Sequence, residues 1–178
     1  MRRERTPFRK GIEGFSLIEI VVVCVLIGII AAVIIPPLHQ GVQSFAVTEA
    51  RGDLTSQARQ AATRMVRELR NIQKEADNTP NITAANAASI TFVDVLDNTI
   101  TFSLSGSTVQ RNSNALVEQV SSVQFRYFNG TNAELTTLPL SPTDRNNVRR
   151  IMMTLTLAEG SLTVSLTEQT FLRELTGL

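Results

Sequence analysis

The sequence predicts an α+β fold: a long N-terminal helix, a membrane span continuing into an amphipathic stalk, packed on a small antiparallel β-sheet. Three observations carry this expectation. An apolar run fills Ile20–Ile35, an apolar period near 3.6 residues follows from Val47 to Ala76, and beyond Ser89 the period drops to two. The expected segments are a basic leader at 1–14, a transmembrane helix at 15–37, a stalk helix at 38–78 and a sheet domain at 79–178.

The apolar run holds sixteen residues with no side chain more polar than Cys24, and twelve of them are Ile, Val or Leu. Counted from Phe15 it is 21 residues long, about 31 Å of helix and enough to cross a hydrocarbon core. These side chains favour insertion by roughly 4–7 kcal/mol, against about 3 kcal/mol or less for Glu19 at one end, so insertion wins. Residues 1–14 carry five basic and two acidic side chains, a net of +3 inside a whole-chain charge of +1. That bias puts the N-terminus in the cytoplasm and the rest of the chain across the membrane.

Pro36 and Pro37 lack the N–H that an internal helix position donates, so they are expected to end or kink the span. With Gly41 they make residues 36–41 a joint. The stalk stripe is Val47, Ala50, Leu54, Ala58, Ala61, Met65, Leu69, Ile72 and Ala76, with Arg51, Arg59, Arg67, Arg70 and Lys74 mostly off it. Asp77–Asn81, "DNTPN", stops the pattern.

In the last segment Ile100, Phe102 and Leu104 alternate with polar neighbours, as do Val123, Phe125 and Tyr127. The same holds for Ile151, Met153, Leu155 and Leu157, and for Leu162, Val164 and Leu166. Such strands have one dry and one wet face. Leu96–Asn98, Ser105–Ser107, Asn129–Asn132 and Ala158–Ser161 supply turns, and residues 129–147 read as a longer loop. The dry face needs a cover, and the Val47–Ala76 helix is the candidate.

Composition narrows function. The charge is too balanced for a dedicated nucleic-acid binder, so no nucleic-acid partner is expected. A lone Cys24 permits no intrachain disulfide. Tryptophan is absent and Tyr127 is the single tyrosine, which argues against an aromatic-lined cleft. His39 reads as a solvated loop residue, Asp94 and Asp97 as turn carboxylates rather than cation ligands, and the stalk arginines as a solvated face. Asn81–Thr83 and Asn129–Thr131 match the glycosylation sequon, frequent by chance in such loops. No nucleophile–base pair, phosphate loop or metal-spaced cluster stands out, so no catalytic site, cofactor or metal is expected.

A basic leader ending at Gly14, then Phe15-Ser16-Leu17-Ile18-Glu19, then an apolar helix: this order resembles the N-terminal signature of type IV pilins and the pseudopilins of type II secretion. The resemblance implies cleavage between Gly14 and Phe15 by a prepilin peptidase and methylation of the new amino terminus on Phe15. Pro36 falls where many pilins carry a proline, in the stretch of helix that loosens on assembly. The glutamate of the signature is thought in that family to pair with a neighbouring subunit's N-terminus, a role carried onto Glu19. The physics agrees: a cut there leaves a positive amino group on a helix N-terminus already partly positive, and an unpaired charge in low dielectric is penalised.

An ordinary signal peptide also has a basic start and an apolar core, but it needs a small-x-small site that Ala31-Ala32 does not provide. An uncleaved signal anchor stays open, and Glu19 could then simply snorkel to the headgroups. Major pilins often close their outer domain with a disulfide; here that part has no cysteine. Its pattern, with Asp53–Gln73 as stalk, Ile90–Gly130 as sheet and Val148–Leu157 as a later strand, resembles W-type minor pilins and J-type pseudopilins. The implied role is initiating or capping a pilus or pseudopilus. The implied partners are prepilin peptidase, other minor pilins or pseudopilins, an inner-membrane assembly platform with its ATPase, and membrane lipid. The implied place is the inner membrane, with the sheet domain in the periplasm. The alternative is a membrane-anchored periplasmic binding or adhesin module.

Overall fold

Residues 16–172 are described by a computed structural model, which begins with one long helix, α1 (Leu17–Arg70). Five strands follow: β1 (Ile82–Ala85), β2 (Ser89–Val93), β3 (Thr99–Ser105), β4 (Thr108–Arg111) and β5 (Asn114–Val117). Then come β6 (Val120–Phe128), the short helix α2 (Pro142–Asn146), β7 (Arg150–Glu159) and β8 (Leu162–Phe171). The chain divides into two compact units, Met1–Val47 and Thr48–Leu178. The α+β class is as the hydropathy periods imply.

Three expectations change. First, α1 runs through Pro36 and Pro37 instead of ending there, and it includes His39, which was expected in a loop. Proline's fixed φ lies close to the helical value, so the backbone continues. What is lost is local, because the carbonyls of Ala32 and Val33 have no intrahelical donor four residues on. Second, the helix stops at Arg70 rather than near Ala76. Tertiary pairing takes the next residues: the Gln73 N–H donates to the Val93 carbonyl at 2.8 Å and the Val95 N–H to Asn71 at 3.0 Å. Ile72 bridges to Asp94 and Lys74 to Pro80. Ala76 is exposed beyond the helix end, Val47 is exposed within α1, and Leu54–Ile72 carry the buried part of the stripe. Third, the strands form two sheets, a five-stranded meander β1–β5 and a three-stranded β6-β7-β8, all antiparallel.

Within the second unit one apolar core joins helix and sheets. The helix contributes Leu54, Ala58, Ala61, Ala62, Met65 and Leu69, spaced so that small residues let the backbone approach closely. From the meander come Ile90, Phe92, Ile100, Phe102 and Val109, with the Phe92 and Phe102 rings 6.1 Å apart. From the other sheet come Val123, Phe125 and Tyr127, and Ile151 to Leu157 at every second position. The core also seats Tyr127, whose hydroxyl donates to the Asn86 carbonyl at 2.9 Å and whose burial pushes its pKa up. The sheets are tied by the Val120 N–H to Ser107 at 2.8 Å and the Phe125 N–H to Ala87 at 2.7 Å. Glu68 accepts from Arg64 on its own helix at 3.3 Å and from Arg111 on β4 at 2.6 Å, fastening helix to meander.

Turn chemistry sets the registers. Gly106 and Gly160, at φ +59° and +57°, each open a two-residue turn whose twist matches the flanking strands. Asn112 and Ser113, both at positive φ, make the β4–β5 turn.

Candidate functional site

The site is the start of α1. Ser16 precedes the helix, and its carbonyl accepts from the N–H groups of Glu19 at 3.0 Å and Ile20 at 3.3 Å. Glu19 is exposed and stands in the first turn, where a carboxylate complements the positive end of the helix dipole. The other two residues implied for processing, Gly14 and Phe15, lie outside the described residues. Pro36 is placed inside the helix, at the weakened turn described above.

Leu17–Leu38 is a 22-residue helical stretch long and apolar enough to cross a membrane, and its most apolar part is not buried in the described chain. At 1.5 Å per residue it is about 33 Å long, which matches a bilayer core. An apolar helix that buries nothing against its own chain needs either lipid or other helices around it. Cys24 is exposed on this helix. The chemistry available is therefore association, with Glu19 as the one acidic group at the head of an apolar surface.

The remaining candidates are absorbed by local structure. The Asp94 carboxylate accepts from the N–H groups of Asn98 and Leu96, both at 2.9 Å, and these bonds hold its pKa below the ordinary carboxylate value. Asp97 accepts from Gln73 at 2.6 Å. Among the described residues no group of three or more His, Cys, Asp or Glu side chains could hold a metal. Asn129 uses its side-chain oxygen to accept from Thr131 and Ala133, which shapes the turn after β6. Asn81 donates to Gln73 at 3.1 Å.

Sequence reasoning missed two polar contacts: Glu68 with Arg111, and Arg126 with Glu134, whose carboxylate is held below its ordinary pKa by that guanidinium. Pairs 43 and 8 residues apart leave no periodic trace. It also missed a groove of about 590 Å³ lined by Asn129, Asn132, Arg149, Arg150 and Phe171. There the Arg150 guanidinium lies 3.8 Å from the centre of the Phe128 ring.

Residues 9–35 match the family model described as the prokaryotic N-terminal methylation motif. The match covers the basic leader's end, Gly14, Phe15, Glu19 and the span as far as Ile35. It supports a type IV pilin-like protein processed by prepilin peptidase, and the apolar helix fits a single-pass membrane anchor of such a protein. No curated protein matches the chain.

Proposed function

We infer that the protein is a minor pilin or pseudopilin that helps initiate or cap a type IV pilus or a type II secretion pseudopilus. The observation that carries this reading is a methylation-motif helix with Glu19 in its first turn and an apolar surface left wholly uncovered. Cleavage after Gly14 frees a positive amino group, and Glu19 pairs with that of a neighbouring subunit as the helices bundle. A mispaired register would leave both charges uncompensated in an apolar surround, so the pair selects correct seating. Pro36 and Pro37 weaken the helix at the one place where loosening costs fewest hydrogen bonds. The sheet domain faces the periplasm and meets sibling minor subunits, and the inner-membrane platform extracts the anchor. The work is assembly, without a catalytic step.

The test is the mass of the N-terminal peptide from protein isolated from its host membrane. A chain beginning at methylated Phe15 is expected. A chain beginning at Met1, or beyond Ala32, would overturn the reading. The second reading, a membrane-anchored binding or adhesin module, is favoured by the open groove beside Arg149, Arg150 and Phe171. It requires an uncut N-terminus.

A further inference from the structure

We propose that the outer edge of β8 is a pairing surface for a second copy of this chain, β8 against β8, antiparallel and centred on Val164. The four sheet edges differ in their cover. The outer edge of β6 is occupied by bonds from Phe125 to Ala87 and from Leu135 to Tyr127, and that of β1 by the Leu140 N–H on Ala85. β5 has only four residues. β8 is ten residues long and pairs with β7 through ten consecutive positions without a register shift. It contains no proline, lysine or arginine, and Glu168 is its single charge. Bulges, prolines and lysines are the usual protection of an edge, and β8 has none of them.

The backbone directions follow from the turn. A two-residue connection, Gly160-Ser161, makes Glu159 and Leu162 a hydrogen-bonded pair. Alternation then directs the peptide groups of Val164, Leu166 and Glu168 at β7, and those of Thr163, Ser165, Thr167 and Gln169 outward. Ala158, opposite Thr163, obeys the same parity: its N–H turns away from β8 to the Gln119 carbonyl at 2.8 Å.

The occupant is argued from self-complementarity. Leu162-Thr163-Val164-Ser165-Leu166 has the same residue classes read in either direction. About a two-fold axis at Val164, Leu162 of one copy lies opposite Leu166 of the other, and Val164 opposite itself. Leu162, Val164 and Leu166 are half-buried on the core side of their own sheet, so this pairing covers the apolar surface they still expose. Thr163 and Ser165 face each other on the polar side. The pairing spans residues 162–166, because each chain turns back at Gly160-Ser161, and that stretch holds no charged side chain. Such a contact is small, and anchoring both copies in one membrane raises its effective concentration.

The experiment uses the full chain in lipid nanodiscs or membrane vesicles, with Cys24→Ala as background and single cysteines at Val164→Cys or Thr167→Cys. Across the proposed axis the Val164 positions touch, whereas the two Thr167 positions stand six residues apart, ~20 Å. Mild oxidation is expected to link Val164→Cys at least tenfold faster than Thr167→Cys. Equal rates, or no linkage at Val164→Cys, overturn the proposal. Adding Thr163→Lys and Ser165→Lys, both on the polar side, sets lysine opposite lysine and is expected to lower linkage at Val164→Cys at least tenfold. Thr163→Lys with Ser165→Glu restores it. Linkage indifferent to these charges would place the contact elsewhere, in the spans for example, and overturn the assignment. None of these outcomes depends on cleavage at Gly14, so a failure here is separate from a failure of the assembly reading.

Discussion

At the scale of single residues, Glu19 and Asp94 are two carboxylates in different settings, a helix first turn and a hairpin loop. Asp94 serves its own loop: backbone N–H groups of Asn98 and Leu96 hold it ionised, and its pKa is depressed. A depressed carboxylate contributes stability above its unfolded pKa of about 3.9, and that contribution is lost as pH falls through the lower folded value. Denaturant melts are therefore expected to be flat from pH 7 to about 5 and to weaken below about pH 4. In Asp94→Ala the acid-induced weakening should be smaller, since one of the depressed carboxylates is gone while those of Asp77 and Glu134 remain. Glu19 stands exposed in the first turn of α1, and its pairing with a neighbouring subunit is the role proposed for it. Glu19→Val should leave membrane insertion intact, since it removes the one charge that opposes it. It should abolish incorporation into filaments, measured by immunoblot of sheared filament fractions; normal incorporation would end the pairing role. Asp94 and Glu19 were both visible in the sequence as candidates, but only the backbone of residues 94–98 shows that Asp94 is satisfied within its own loop.

At the scale of elements, legibility followed length. Ten-residue strands such as β7 repeat their alternation four times, whereas β1, β4 and β5 have four residues each and no period to read. Four turns were legible because they rest on local chemistry, whereas the Asn112-Ser113 turn between β4 and β5 was not read. Gly106 sits at φ +59° with nothing within 4 Å of an added Cβ, so the cost of a side chain there is conformational and not steric. Gly106→Ala should destabilise the protein by about 1 kcal/mol, without altering the β3–β4 register, as measured by urea denaturation. The C-terminal end of α1 was not legible. Ile72 and Ala76 continue the helical stripe, yet Gln73 and Asn71 bond to β2 and its turn, and that tertiary pairing overrides the period. Pro36 and Pro37 were legible as a weak point but not as an interior position, because proline's φ serves both a helix and its end.

At the scale of the whole molecule, the division at residues 47 and 48 separates the unit that holds the exposed apolar span from the unit that carries the core. The helical residues of that core begin at Leu54. Deletion of residues 1–47 should therefore give a soluble, cooperatively folding domain, monitored by circular dichroism and gel filtration. Aggregated material without near-native strand content would mean that the anchor is needed for folding. Loss of assembly in the same deletion would be expected from the assembly reading, since the deleted part holds Gly14, Phe15 and Glu19.

The sequence by itself determined the local features: the span, the stalk stripe, the longer strands, the turns, and the leader–glycine–Phe15–Glu19 order that the methylation-motif match supports. These depend on neighbours within a few residues, whose side chains repeat with the backbone's own period. Only the tertiary structure decided that the strands split into two sheets, that α1 stops at Arg70, that Glu68 reaches Arg111, and that β8 is a long edge strand without cover among the described residues. Those depend on contacts between residues far apart in the chain, whose partners are chosen by how two sheets and one helix face enclose a single core.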